Sequence, residues 1–158
     1  MVDVKQSKLF PRDAKICLTV AGQVFFQKKL LLVLHRKLNI WLAPGGHLEP
    51  NEPLHLGAQR EIFEETGVTV RAIDPRPLLK SSISLYVPSP IFSNLHWVSK
   101  ENYRRRLKDG DNFECEPQWP KGCEQHFNLV YLMEVVGSTC VSMDERESLD
   151  VGWFTSDE

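Results

Sequence analysis

The chain has no uninterrupted apolar run approaching the roughly 18 residues that a membrane-spanning helix needs. Its opening stretch, MVDVKQSKLFPRDAKICLTVAG, lacks an apolar core followed by a small-residue cleavage site, so no secretory leader is read there. Charge of one sign is missing too. A formal net charge of -2 with 25% charged residues provides no global basic field for nucleic acid or an anionic membrane, so neither is expected as a partner. A phosphate-bearing ligand would have to be held locally. Cysteine is scarce: Cys17, Cys115, Cys123 and Cys140 form no Cys-x-x-Cys pair, which fits reduced thiols in a cytosol better than a disulfide scaffold. Cys115, Cys123 and His126, with His96 upstream, offer zinc-ligand types without the paired spacing of zinc sites. Internal repeats and low-complexity tracts are also lacking. A cytoplasmic protein is the expectation.

What is present is enough for one core. With 158 residues and 42% apolar content, the chain is read as a single domain over 1–158. Residues Ala14 to Phe26 and Leu30 to Leu34 are apolar and rich in strand formers, separated by the polar Gln27-Lys28-Lys29, which predicts two strands joined by a turn. Ile40 to Ala43 follows, and Pro44-Gly45-Gly46 is expected to end any regular element. Val68 to Ile73, Leu78 to Val87 and Phe127 to Val136 read as further strands. Pro88 to Gln125 reads as an insertion carrying one short helix, Ser99 to Lys108, with an N-cap, an early acid and late bases.

Between Pro53 and Thr66 the spacing is helical: Leu54, Ala58 and Ile62 recur at i, i+4, i+8, and Gly67 stands where helices end in the left-handed conformation. Strands around one central helix give an α/β or α+β fold on a mixed sheet. On that helix Glu61, Glu64 and Glu65 share one face near the C-terminal end. Like charges at this spacing cost roughly 0.2–0.5 kcal/mol per pair, and acids at a helix C-terminus oppose a dipole effect of about 0.3–1 kcal/mol each. Local stability alone would not select them. Arg60 can pair with Glu64 and leave a solvated charged face, whereas a divalent cation with hard oxygen ligands offsets far more. The glycines before the helix allow a tight backbone path, with Glu52 placed to tie the loop down.

These residues resemble the Nudix box: Gly, five residues, Glu, seven residues, then Arg-Glu-apolar-any-Glu-Glu-any-Gly-apolar. Gly46, Glu52, Arg60, Glu61, Ile62, Glu64, Glu65, Gly67 and Val68 fill it without a mismatch. Seven fixed residues at about 5–7% usage each make a chance match about one in 10⁸ to 10⁹ per starting position. The strand pair before Pro44 and a late Trp153-Phe154 after an acidic loop are similar to the family's usual arrangement, an α/β/α sandwich on a mixed sheet. In that arrangement Thr155 or Ser156 would cap a second helix, so the resemblance implies either a truncated chain or a sheet face covered by something else.

The resemblance to this MutT-like hydrolase superfamily implies Mg²⁺- or Mn²⁺-dependent hydrolysis of a diphosphate linkage in a nucleotide or nucleoside diphosphate-linked substrate. It makes Glu61, Glu64 and Glu65 metal ligands with the Gly45 carbonyl as a further candidate, and casts Glu52 and Arg60 as braces of loop and helix. Glu147, six residues before Trp153, is similar to an extra acid in some members that serves as ligand or general base; Asp144 and Glu145 are its alternatives. His35 and Arg36 after the second strand, Tyr86, and His126 at the start of a strand are candidate substrate contacts. Each is also an ordinary surface or strand residue. His47 and His55 fill variable positions of the box and are expected in the loop and on the helix surface. Arg104, Arg105, Arg106 and Lys108, with Trp97, Tyr103, Phe113 and Trp119, could reach phosphates and stack on a base, or simply form a solvated face over a small apolar cluster. An alternative of another class keeps the fold as a nucleotide-sensing module without turnover, and the diphosphate isomerase branch shares the box. A homodimer would bury an uncovered sheet face.

Overall fold

The computed structural model describes residues 14–76, 79–109 and 121–158. In chain order its strands are β1 (Ile16–Phe26), β2 (Lys29–His35), β3 (Ile40–Leu42), β4 (Gly45–His47), β5 (Val70–Ile73), β6 (Phe92–Trp97), β7 (Gln125–Val135) and β8 (Ser148–Phe154). Two helices accompany them, α1 (Leu54–Thr66) and α2 (Lys100–Asp109). The strands run in the order β3-β2-β1-β7-β5, with β4 on β1, β6 on β7 and β8 on β2. The α+β expectation therefore holds.

Among the described residues contacts define two compact units, one comprising 14–17 with 94–109 and 121–127 and the other 18–76 and 79–93 with 128–158. The larger unit contains the core. Val24, Leu31, Ala58, Ile62 and Val68 are fully buried, joined by Val20, Val70, Ala72, Tyr131 and Met133. The two helix positions Ala58 and Ile62 are the inward face anticipated from their spacing, with Leu54 partly buried against the same cluster.

Local chemistry explains most boundaries. The β1–β2 hairpin pairs Phe26 with Lys29, and its two turn residues, Gln27 and Lys28, both have positive φ, the twist that a two-residue hairpin demands. Helix α1 starts after Pro53 and ends at Gly67, whose φ of 70° lets its N–H reach the Phe63 carbonyl at 2.8 Å. Helix α2 starts as expected: the Asn102 N–H donates to Ser99 Oγ at 3.0 Å.

Three expectations need correction. Pro44-Gly45-Gly46 does not end regular structure, because Gly45–His47 forms β4 and pairs antiparallel with β1, Gly46 opposite Val20. The absent side chain is what permits this, since a Cβ on Gly45 would run into the Val20 carbonyl and the Ala21 Cα. The alternating run after Leu78 forms no strand over 79–87, and Ile83 and Leu85 are 93% and 88% exposed there. The edge available to it is used by the next segment, where the Ile91 N–H donates to the Val130 carbonyl at 2.8 Å and β6 follows inside the stretch read as an insertion. Alternation favours a strand only when a partner edge is free.

The third correction concerns the thiols. Cys17 and Cys123 are joined by a disulfide within the smaller unit, with Cα atoms 5.8 Å apart, across a separation of 106 residues. The expectation of reduced thiols fails for this pair. Cys115 lies outside the described residues.

Candidate active site

Two backbone segments and one helix build the site, all within the larger unit. Arg60 is its hub. Its Nε and Nη2 donate to the two carboxylate oxygens of Glu52 at 2.8 and 2.9 Å, a two-point fork that fixes both planes. Nη2 also donates to the His47 carbonyl at 3.1 Å, so one guanidinium ties α1 to β4 and to the turn after it. Nη1 donates to Glu61 and Glu64 at 2.9 Å each. The Glu49 N–H completes the turn by donating to Glu52 Oε2 at 3.1 Å. The Arg60 fork holds the Glu52 carboxyl below the usual range, while Glu52 in turn holds the Arg60 guanidinium firmly protonated.

The glycines set the spacing between β4 and α1. A Cβ on Gly46 would overlap the Glu61 carboxylate, and one on Gly57 would meet Leu48 Cδ2 at 2.6 Å and Glu52 Oε2 at 2.8 Å. Gly45 faces the other acid: its N–H donates to Glu65 Oε2 at 2.9 Å.

The three box acids differ in environment. Glu64 is half exposed, whereas Glu61 and Glu65 are 9% and 5% exposed. Burial pushes the Glu61 carboxyl up, opposed by Arg60 and reinforced by the charges of Glu64 and Glu147. Burial pushes Glu65 further, up to about 8, with the Gly45 N–H opposing and Glu147, Glu61 and Asp144 adding to the rise. Acids from α1 and from the segment before β8 therefore act on one another.

That meeting has a physical location. Glu64, Glu65, Asp144, Arg146 and Glu147 line a depression of about 310 Å³. The segment is anchored to the last turn of α1, where the Ser142 N–H donates to the Thr66 carbonyl at 2.8 Å and the Asp144 N–H to the Glu65 carbonyl at 3.4 Å. Arg146 is the residue here that sequence reasoning passed over. Its Nη2 donates to Asp144 Oδ2 at 2.6 Å, and that guanidinium, with the Arg146 N–H, holds the Asp144 carboxyl down at about 2. A single arginine within MDERESLD carries no signal of its own.

The other candidates are placed as follows. Arg36 turns its guanidinium onto the carbonyls of Glu145 and Ser148. His35 Nδ1 accepts the N–H groups of Lys37 and Leu38 at 3.2 Å each, closing the turn into β3, and burial lowers its pKa. Glu145 is exposed. Tyr86, 43% exposed, lies in the irregular segment after β5. His126 belongs to the smaller unit, where its ring stands edge-on to His96 at 5.6 Å. In the same unit Trp97 packs on Tyr103 at 5.4 Å, Arg104 and Arg105 face Glu101, and Arg106 faces Glu124 at 3.8 Å. Phe113 and Trp119 fall outside the described residues.

A partly buried Arg–Glu fork, two glycines whose Cβ positions are already filled by neighbouring side chains, and carboxylates gathered at a helix C-terminus together make up one constellation of the larger unit. The NUDIX domain model matches residues 15–158, and the chain belongs to that family. It is 51% identical over 53 residues to nucleoside diphosphate-linked moiety X motif 6 of Homo sapiens, a match covering 31% of this chain and 17% of that protein. Over 30 residues it is 53% identical to the m7GpppN-mRNA hydrolase NUDT17 of Bos taurus, covering 19% and 10% respectively. The matches thus span under a fifth of these relatives' lengths. Among solved structures, a NUDIX-family hydrolase from Clostridium perfringens superposes with a TM-score of 0.63 at 25% identity, covering 89% of this chain and 81% of that one.

Proposed function

We propose that this domain hydrolyses a diphosphate linkage in a nucleotide or nucleoside diphosphate-linked substrate with the help of Mg²⁺ or Mn²⁺. One observation carries the reading: carboxylates from α1 and from the segment before β8, with Glu65 buried and Glu64 and Glu147 exposed, converge on one depression, at a helix end that opposes negative charge. The donor set fits a divalent cation. It consists of hard carboxylate oxygens, and the raised pKa values of Glu61 and Glu65, due first to burial and then to neighbouring acids, mark charges that a cation would offset. When bound, the cation supplies charge neutralisation for the diphosphate and a lowered pKa for water.

The chain's own residues divide the remaining work. Glu61, Glu64 and Glu65 would hold the cation, with the Gly45 carbonyl as a further candidate donor. Glu52 and Arg60 keep loop and helix at a fixed separation. Glu147, across the depression, takes the proton of the attacking water or completes the ligand set. Arg146 is placed to exchange Asp144 for a substrate phosphate. The relatives' descriptions, a nucleoside diphosphate-linked moiety and an mRNA cap, support a nucleoside diphosphate as the shared part of the substrate.

The test is a hydrolysis panel of nucleoside triphosphates, dinucleoside polyphosphates, ADP-ribose, NADH, nucleotide sugars and capped RNA, with and without Mg²⁺. Metal-dependent turnover that falls by at least about 100-fold in a Glu64→Gln/Glu65→Gln double variant is expected. Nucleotide binding by folded protein without turnover on any substrate would instead favour a sensing module.

A further inference from the structure

Arg36 is the residue immediately after β2, and the ladder between β2 and β8 shifts register between Leu34 and His35. Past that irregularity Arg36 grips the segment entering β8 three times. Its N–H donates to the Glu147 carbonyl at 3.0 Å, and its Nη2 donates to the carbonyls of Glu145 at 2.5 Å and Ser148 at 3.3 Å. The segment's other end is held by α1 through Ser142 and Asp144. Internally it is a turn, with the N–H groups of Glu147 and Ser148 both donating to the Asp144 carbonyl, at 3.2 and 3.0 Å. The acids Asp144 and Glu147 that this turn presents to Glu64 and Glu65 thus sit between two clamps. One of the clamps is a single residue.

We propose that Arg36 is a positioning residue: by clasping the carbonyls of Glu145 and Ser148 it sets the turn that presents Glu147 and Asp144 to the α1 carboxylates. Without it, the turn keeps its backbone bonds and its internal Arg146–Asp144 pair but loses the cationic clasp on the carbonyls of Glu145 and Ser148 that opposes repulsion among the acids gathered there. Arginine suits the task because its planar, permanently charged guanidinium fixes the directions of the two Nη2 N–H bonds, one for each carbonyl, whereas the lysine ammonium is a flexible point charge. The effect on turnover rests on the hydrolase reading above. The clasp itself rests on the three bonds.

The wild-type chain, Arg36→Gln and Arg36→Lys are compared by amide hydrogen exchange without metal, by Mn²⁺ binding from the free-ion EPR signal, and by steady-state kinetics on the best panel substrate. Exchange over residues 143–148 is expected to rise about tenfold or more in Arg36→Gln while α1 keeps its protection. Mn²⁺ affinity or kcat should fall by about 10–100-fold with KM near wild type, and Arg36→Lys should be intermediate in each readout. Unchanged exchange over 143–148 overturns the proposal, as does a raised KM at constant kcat, which would make Arg36 a substrate contact. If Arg36→Gln loses α1 protection as well, the comparison rests on Arg36→Lys, which retains the charge. If the wild type turns over no substrate, the hydrolase reading fails while exchange and Mn²⁺ binding still decide the clasp.

Discussion

Glu65 shows how one buried side chain couples stability to pH. Its carboxyl is pushed from 4.5 up to about 8, so between those values the folded protein holds a proton that the unfolded chain has released. Where the native state binds more protons, stability falls as pH rises. Metal-free protein should therefore lose thermal stability between pH 5 and pH 8, and Glu65→Gln, which mimics the protonated acid, should lose much less. Glu61 is shifted in the same direction and leaves a residual slope. Melting curves in chelator across that range check this, and parallel slopes for wild type and variant would sink it. The three acids and their spacing were legible in the sequence. Their unequal burial was not, because exposure depends on which acid faces Gly45 and which faces water.

At the scale of the element, α1 shows why its ends matter as much as its face. It has no basic residue in its last turn to offset the dipole, and its termination depends on Gly67 at φ 70°. An alanine there adopts a left-handed conformation, and its Cβ would stand 3.0 Å from the Ser142 Cβ. Gly67→Ala should cost about 1–2 kcal/mol in urea unfolding. Because Ser142 begins the segment bearing Asp144 and Glu147, Mn²⁺ affinity should fall as well; loss of stability with metal binding intact would uncouple helix end from site. The helix was visible from periodicity, its stop from one glycine. β4 and β8 were not seen as strands: a Gly-Gly pair looks like a breaker until β1 is there to pair with it, and Ser148–Phe154 follows the charged run Asp144 to Glu147 and carries Asp150 within it.

For the whole molecule, the disulfide is the feature that composition argued against. It closes a loop of 106 residues, so constraining the unfolded chain should stabilise the smaller unit by roughly 2–4 kcal/mol. Adding a thiol reductant should lower that unit's melting or exchange protection, and Cys17→Ser/Cys123→Ser should be indifferent to reductant. A reductant effect that persists in the double variant would assign the sensitivity to other thiols. Among the described residues no helix is long and apolar enough to cross a membrane.

By itself the sequence determined the family, the central helix and its buried face, the hairpin before it, and the acids on which any metal chemistry would depend. Each of these is encoded locally, in a spacing of a few residues or one turn. Only the tertiary structure decided that Glu65 is buried against the Gly45 N–H, that Arg60 joins four partners, and that Asp144 and Glu147 face acids about 80 residues earlier in the chain. The same holds for Arg36, whose carbonyl partners lie on β8 and the turn before it, and for the cysteine pair. Contacts between segments distant in sequence arise from strand order and packing, and no short window of residues contains them.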